Sequence, residues 1–180
     1  MTRRPAPALA LFVAGLALAA PAPALAEQTA TQRFFSERLQ ADRRTDAEIK
    51  DLLRSRQGFV DRTVIFKDLT GDDRADAIVR VQSGGALGAV ALYVLSTDTG
   101  RKGSGLKVVF RSQRLRRAQT RVRDGVLRYR SSRPQPGDEL CCPTAVAETR
   151  LRWRERRHRF TVVERREIAP AEPWGDQLPR

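Results

Sequence analysis

From Val60 onward the chain changes its period, and that change restricts the folds open to it. Upstream, apolar residues recur at helical spacing. Downstream they alternate with polar ones in short β-branched runs divided by turn signals. The runs predict strands at about Thr63 to Lys67, Ala75 to Gln82, Ala89 to Leu95, Lys107 to Arg111, Ala118 to Arg123, Val126 to Arg130, Ala145 to Arg154 and Arg159 to Arg165. The connections are short, and Asp124-Gly125 reads as a two-residue hairpin turn, so antiparallel neighbours are expected rather than crossover helices.

Two helices are expected before the switch. Thr31 to Gln40 carries Phe34, Phe35 and Leu39 at amphipathic spacing. Thr45-Asp46-Ala47-Glu48 has the pattern of a capping box, Ile49, Leu52 and Leu53 form one apolar face, and Gly58 suits a left-handed stop. This second helix is predicted over Asp46 to Arg56. The fold class is therefore α+β, with two short N-terminal helices packed on an antiparallel, meander-like β-sheet.

Met1 to Ala26 reads as a secretory leader. Arg3 and Arg4 precede an apolar run from Leu9 to Ala20, and Ala24-Leu25-Ala26 gives the small-residue cleavage pattern. The run is shorter than the roughly 20 residues a bilayer span needs, so no transmembrane span is expected in the mature chain. Residues 27–167 are then expected to form one domain, and residues 168–180 a mobile Pro-containing tail. The protein is expected to be exported, to a periplasmic, wall-associated or extracellular location.

Charge is divided unevenly along the mature chain. Glu27 to Gly100 holds 11 basic and 12 acidic side chains, whereas Arg101 to Arg180 holds 21 basic and 9 acidic, a net +12. Strand alternation sends Val122, Leu127, Tyr129, Leu151, Trp153, Phe160 and Val162 toward the core. It sends Arg121, Arg123, Arg128, Arg130, Arg150, Arg152 and Arg154 elsewhere, onto one arginine face. Such a face attracts anionic wall polymers or lipid headgroups through a salt-sensitive field, with no specific nucleic acid expected. The competing reading is a face that is merely solvated.

Two further motifs could carry chemistry. In Asp68-Leu69-Thr70-Gly71-Asp72-Asp73-Arg74-Ala75-Asp76, oxygen side chains fall at positions 1, 3, 5 and 9, and the Arg74 carbonyl falls at position 7. Asp68, Thr70, Asp72, Arg74 and Asp76 thus suit a Ca2+ ion. Asp73 stands where a glycine would supply positive φ, and Val79 where a bidentate glutamate would. The alternative is a metal-free turn whose aspartates cap backbone N–H groups.

Cys141 and Cys142 are the only cysteines, and they are adjacent. In an oxidising compartment they can bond to each other or to another chain, giving a redox-sensitive clasp; otherwise they form a rigid turn before Pro143. Ser83 to Gly88 lacks the Lys-Ser/Thr of a phosphate loop, and His158 lies in a charged turn without a companion. No catalytic constellation emerges, so a noncatalytic protein is expected.

The Asp-Leu-Thr-Gly-Asp turn running into Ala75-Asp76-Ala77-Ile78-Val79, the Ser83-Gly84-Gly85 loop, Cys141-Cys142-Pro143-Thr144 and Arg152-Trp153 together resemble a group of secreted bacterial proteins. The group is mainly actinobacterial, and the LppP/LprE-type lipoproteins are similar at a greater distance. The resemblance spans about Phe59 to Val163 and implies this fold and export, with no activity to carry over. The chain departs from the group at Asp73, at Glu155-Arg156-Arg157-His158, and in lacking the lipoproteins' lipid-attachment cysteine. The functional expectation is an envelope or extracellular module that binds anionic partners. The alternatives are a thiol/disulfide redox-responsive protein and a calcium-stabilised domain.

Overall fold

A computed structural model of the chain describes residues 28–97, 105–139 and 142–170. The leader, the final ten residues and Cys141 lie outside the described residues. Helix α1 (Ala30–Ala41) begins at a capping box that the sequence reading did not find. Thr29 Oγ1 accepts from Gln32 N at 3.2 Å, and Gln32 Oε1 accepts from Thr29 N at 2.9 Å. Gln32 Nε2 also donates to Val60 O at 2.7 Å, tying the helix start to the first strand.

Helix α2 (Ala47–Arg54) corrects the expected cap. Its N-cap is Asp46, without a side-chain cap bond, and Thr45 is buried instead of capping. The left-handed residue after this helix is Arg56, at φ 58°, not Gly58. Gly58 is required for another reason: a Cβ there would lie 2.5 Å from both Gln82 O and Leu52 Cγ.

The strands divide between two antiparallel sheets where one was expected. Sheet 1 contains β1 (Phe59–Val60), β2 (Ile65–Lys67), β3 (Asp76–Gln82), β4 (Ala89–Ser96) and β5 (Lys107–Ser112). Its order is β1-β3-β4-β5, with β2 also paired to β3. Sheet 2 runs in chain order through β6 (Gln119–Arg123), β7 (Val126–Arg133), β8 (Ala145–Arg154) and β9 (Arg159–Ile168).

Sheet 1 contributes side chains to two cores. On one side Ala77, Val79, Val81, Ala91, Tyr93 and Leu95 cluster with Phe35, Leu39, Ile49 and Leu53 from the helices. On the other side Ile78, Leu92 and Val94 cluster with Leu127, Tyr129 and Leu151 of sheet 2. All eight residues of β4 are buried, which explains why its sequence is a continuous apolar run rather than an alternating one. Each leucine fully buried there contributes about 2 kcal/mol of transfer free energy.

Sheet 2 begins with the predicted hairpin. Asp124 (φ 49°) and Gly125 (φ 68°) both take the positive φ that a type I′ turn needs, and Arg123 pairs with Val126 across it. Near its far edge the ladder is irregular: Arg150 pairs with Glu164 but Leu151 with Val162. The extra residue, Val163, disturbs the alternation of the edge strand. Val162, expected in the core, is consequently 53% exposed.

Candidate functional site

Cross-strand register, rather than position along any one strand, assembles the arginine face. Arg121 pairs with Arg128, Arg128 with Arg150, and Arg150 with Glu164. In the next row Gln119 pairs with Arg130, Arg130 with Glu148, and Glu148 with Arg166. A third row runs Arg123, Val126, Arg152 and Thr161. Since side chains two residues apart share a face, all seven arginines singled out in the sequence project on the side opposite Leu127, Tyr129 and Leu151.

The seven nevertheless fall into two groups. Arg121, Arg123, Arg152 and Arg154 are exposed. Arg128 is 2% exposed, and Arg130 and Arg150 are 6% exposed, alongside Glu148 at 1%. Arg130 donates from Nε and Nη2 to Glu148 Oε2, both at 2.8 Å. Arg150 reaches Glu148 Oε1 from Nε at 3.2 Å and Glu164 Oε2 from Nη1 at 2.7 Å. Arg166 Nη2 joins Glu148 Oε1 at 3.3 Å.

Burial pushes the Glu148 carboxyl upward, but hydrogen bonds from Arg130 and the charges of Arg166 and Arg130 outweigh it. The group is held below the usual glutamate range. Arg128 shows the opposite environment: burial, then the adjacent charge of Arg150, lowers its guanidinium from the ordinary arginine value. Glu148, Glu164 and Arg166 were absent from the sequence reading. Glu148 was within its reach, because it continues the alternation of Arg150, Arg152 and Arg154 on β8.

The acidic turn before β3 directs its carboxylates at backbone. Asp76, 1% exposed, accepts from Leu69 N at 2.7 Å and Thr70 N at 3.0 Å through Oδ2. Asp68 accepts from Gly71 N at 2.7 Å and Asp73 N at 3.2 Å. Asp72 Oδ1 accepts from Arg74 N at 3.1 Å, and its Oδ2 from Thr97 Oγ1 at 3.3 Å. Asp73 adopts φ 60°, the conformation expected of glycine at that position. Burial raises the Asp76 carboxyl above its ordinary value, against the lowering effect of its hydrogen bonds. Among the described residues no group of three or more His, Cys, Asp or Glu side chains could hold a metal ion.

Cys142 is exposed and disulfide-bonded. The only other cysteine in the chain, Cys141, lies outside the described residues. The loop approaching Cys142 is pinned by Asp138, whose Oδ2 accepts from Gln135 N at 2.7 Å and Thr144 N at 3.0 Å. Those two backbone bonds lower the Asp138 carboxyl below its ordinary value. Cys142 N donates to Glu139 O at 3.1 Å. Beside the loop lies a cavity of about 380 Å³ bordered by Cys142, Arg117, Gln119, Arg130, Ser132 and Pro170, among others. Arg130 thus belongs both to the arginine face and to the cavity at Cys142, a junction the sequence reading did not anticipate.

His158 sits at φ 41° after a 3-10 turn (Glu155–Arg157), exposed, with its ring centroid 6.3 Å from that of Trp153. No helix among the described residues is long and apolar enough to cross a membrane. Comparison with protein-family models, with curated proteins and with solved structures returned no match, so sheet register, burial and charge are what bear on the function of this chain.

Proposed function

We propose that the protein is an exported, noncatalytic bacterial envelope or extracellular module that binds anionic wall polymers or lipid headgroups on the outer face of sheet 2. Arg121, Arg123, Arg152 and Arg154 make the contacts. Arg128, Arg130 and Arg150 supply a fixed positive layer tethered by Glu148 and Glu164. The architecture is taken as layered, with the helices on the side of sheet 1 away from a sheet 2 meander and the arginines on the side of sheet 2 opposite its core. Export rests on the leader pattern of Met1 to Ala26.

One observation carries the reading: the row Arg121, Arg128, Arg150 sets three like charges directly opposite one another on adjacent strands, with Glu164 next in register. Opposed like charges destabilise a sheet. A row that costs stability and concentrates positive potential is what an anion-binding surface requires, whereas a solvated face needs only scattered charge of both signs.

Binding to a soluble anionic wall polymer and to anionic vesicles is to be measured from about 50 to about 500 mM salt, where counterion release makes affinity fall. The double substitution Arg121→Ala with Arg152→Ala is expected to weaken binding and to lower the salt slope by about two phosphate-type contacts. Affinity that does not move with salt rejects the proposal. Preference for polymer or vesicle identifies which anion is bound.

A further inference from the structure

We propose that the exposed aromatic patch where α1 meets β2 docks on a lipid bilayer carrying anionic headgroups, as a surface separate from the arginine face of sheet 2. Amphipathic spacing sends Phe34, Phe35 and Leu39 inward, but the structure buries only Phe35 and Leu39 and leaves Phe34 42% exposed. Phe66 is 53% exposed on β2, which covers only three residues at the edge of sheet 1. The two exposed rings are joined through the buried one. Phe34 stands edge-on to Phe35 with centroids 5.1 Å apart, and Phe35 lies 6.3 Å from Phe66.

Register fixes the direction of the patch. Phe66 pairs with Ala77, and Ala77 belongs to the core between sheet 1 and the helices, so the Phe66 ring projects on the helix side of sheet 1. The arginines project from the side of sheet 2 opposite Leu127 and Leu151, which pack with Ile78 on the other side of sheet 1. The patch is therefore no extension of the arginine face. Its helix is held at the start, where Gln32 Nε2 donates to Val60 O at 2.7 Å.

Charge selects the occupant. Arg38 sets its guanidinium carbon 5.2 Å from the Phe34 ring centroid, and Arg33 and Lys67 are exposed next in sequence to Phe34 and Phe66. Among the described residues neither Arg33 nor Lys67 enters an ion pair. The exposed acids closest in sequence are Glu37 and Asp68, and Asp68 is turned onto Gly71 N and Asp73 N. Half-exposed rings flanked by cations suit a boundary that is apolar below and anionic above. The rings enter the acyl boundary while the guanidinium and ammonium groups stay at the phosphates. A protein partner would favour a contact centre depleted of charge, and a soluble polyanion offers the rings nothing apolar to enter.

The test is partitioning of the purified exported protein onto vesicles of phosphatidylcholine alone and of phosphatidylcholine with phosphatidylglycerol in equal parts, at about 50 and about 500 mM salt. Binding to the mixed vesicles is expected, weakened but not abolished at the higher salt. Phe34→Ala with Phe66→Ala should lower partitioning roughly tenfold at either salt. Arg33→Glu with Lys67→Glu, which spares the rings, should lower it chiefly at low salt. In Phe66→Trp, brominated lipid should quench emission beyond what it quenches in wild type. Adding Arg121→Ala and Arg152→Ala to Phe66→Trp should leave that quenching of the bound protein intact, which separates this proposal from polymer binding on sheet 2. If the ring variant fails to fold, the charge reversal and Phe66→Trp decide alone. No partitioning onto mixed vesicles, partitioning unmoved by loss of both rings, or a Phe66→Trp emission that brominated lipid does not reach overturns the proposal. So does a wild-type dimer that Phe34→Ala with Phe66→Ala converts to monomer, which assigns the patch to a second copy.

Discussion

Asp76 in the acidic turn and Glu148 on the arginine face are both about 1% exposed, yet the protein shifts them in opposite directions. Asp76 is met by the Ser96 and Thr70 side chains and by backbone N–H groups, which satisfy its oxygens without compensating its charge, and burial dominates. Glu148 is met by Arg130, Arg150 and Arg166, and the cations dominate. Depth alone therefore does not decide what a buried carboxylate does for the fold; the charge of its partners does. The two sites also link stability to pH with opposite sign. The Glu148 contribution is present above the ordinary 4.5 and is lost as the pH falls through its lowered folded value. The Asp76 contribution is present below the ordinary 3.8 and is lost as the pH rises through its raised folded value.

The largest effect is expected from Glu148→Gln, which removes a carboxylate shared by three arginines. Urea unfolding at neutral pH should show a loss of about 3 to 5 kcal/mol. The gap to wild type should narrow as the pH drops below 4.5, where wild-type Glu148 begins to lose its own contribution. A loss under about 1 kcal/mol would erase the contrast with Asp76. A smaller effect is expected from Arg128→Met. Replacing a buried charge by an apolar side chain of similar volume is often neutral or stabilising, and here it also breaks the row of three arginines. Stability should stay within about 1 kcal/mol of wild type or rise, while affinity for the anionic polymer falls. A loss matching that of Glu148→Gln would mean that the row holds the sheet together.

The smallest effect concerns the acidic turn. Asp68, Asp72 and Asp76 already accept backbone N–H groups, so melting in about millimolar calcium and in chelator should agree within about 1 °C. A rise of several degrees would show that the turn recruits a cation, and Asp76 would then join Glu148 as a charge-compensated carboxylate.

Much of this organisation was legible in the chain because local rules decided it. Periodicity located both helices and most strands, Asp124-Gly125 announced its own turn, and alternation grouped the seven arginines. What was not legible depended on distant partners. Between β5 and β6, residues 113–118 leave sheet 1 without a glycine or proline; Arg114 and Arg117 supply the positive φ, and Leu115 N and Ala118 N donate to Val90 O and Ala89 O. The two-residue β1 exists only through its pairing with Gln82 and Val81. The cap at Thr45 failed because that residue is buried and Asp46 takes the cap position. The division of the arginines into exposed and buried groups needed the register of four strands, and the meeting of Arg130 with Cys142 needed the loop between β7 and β8.

The tight turn at Asp124 and Gly125 has a consequence for how sheet 2 can go wrong. Because it admits only one alignment of β6 with β7, it also decides the parity of the whole ribbon. A slip of one residue would drive guanidinium groups into the oily interior and turn Leu127 and Tyr129 out to water. The misaligned ribbon would be much less favourable than the native one, so the charge pattern itself discriminates against the wrong alignment.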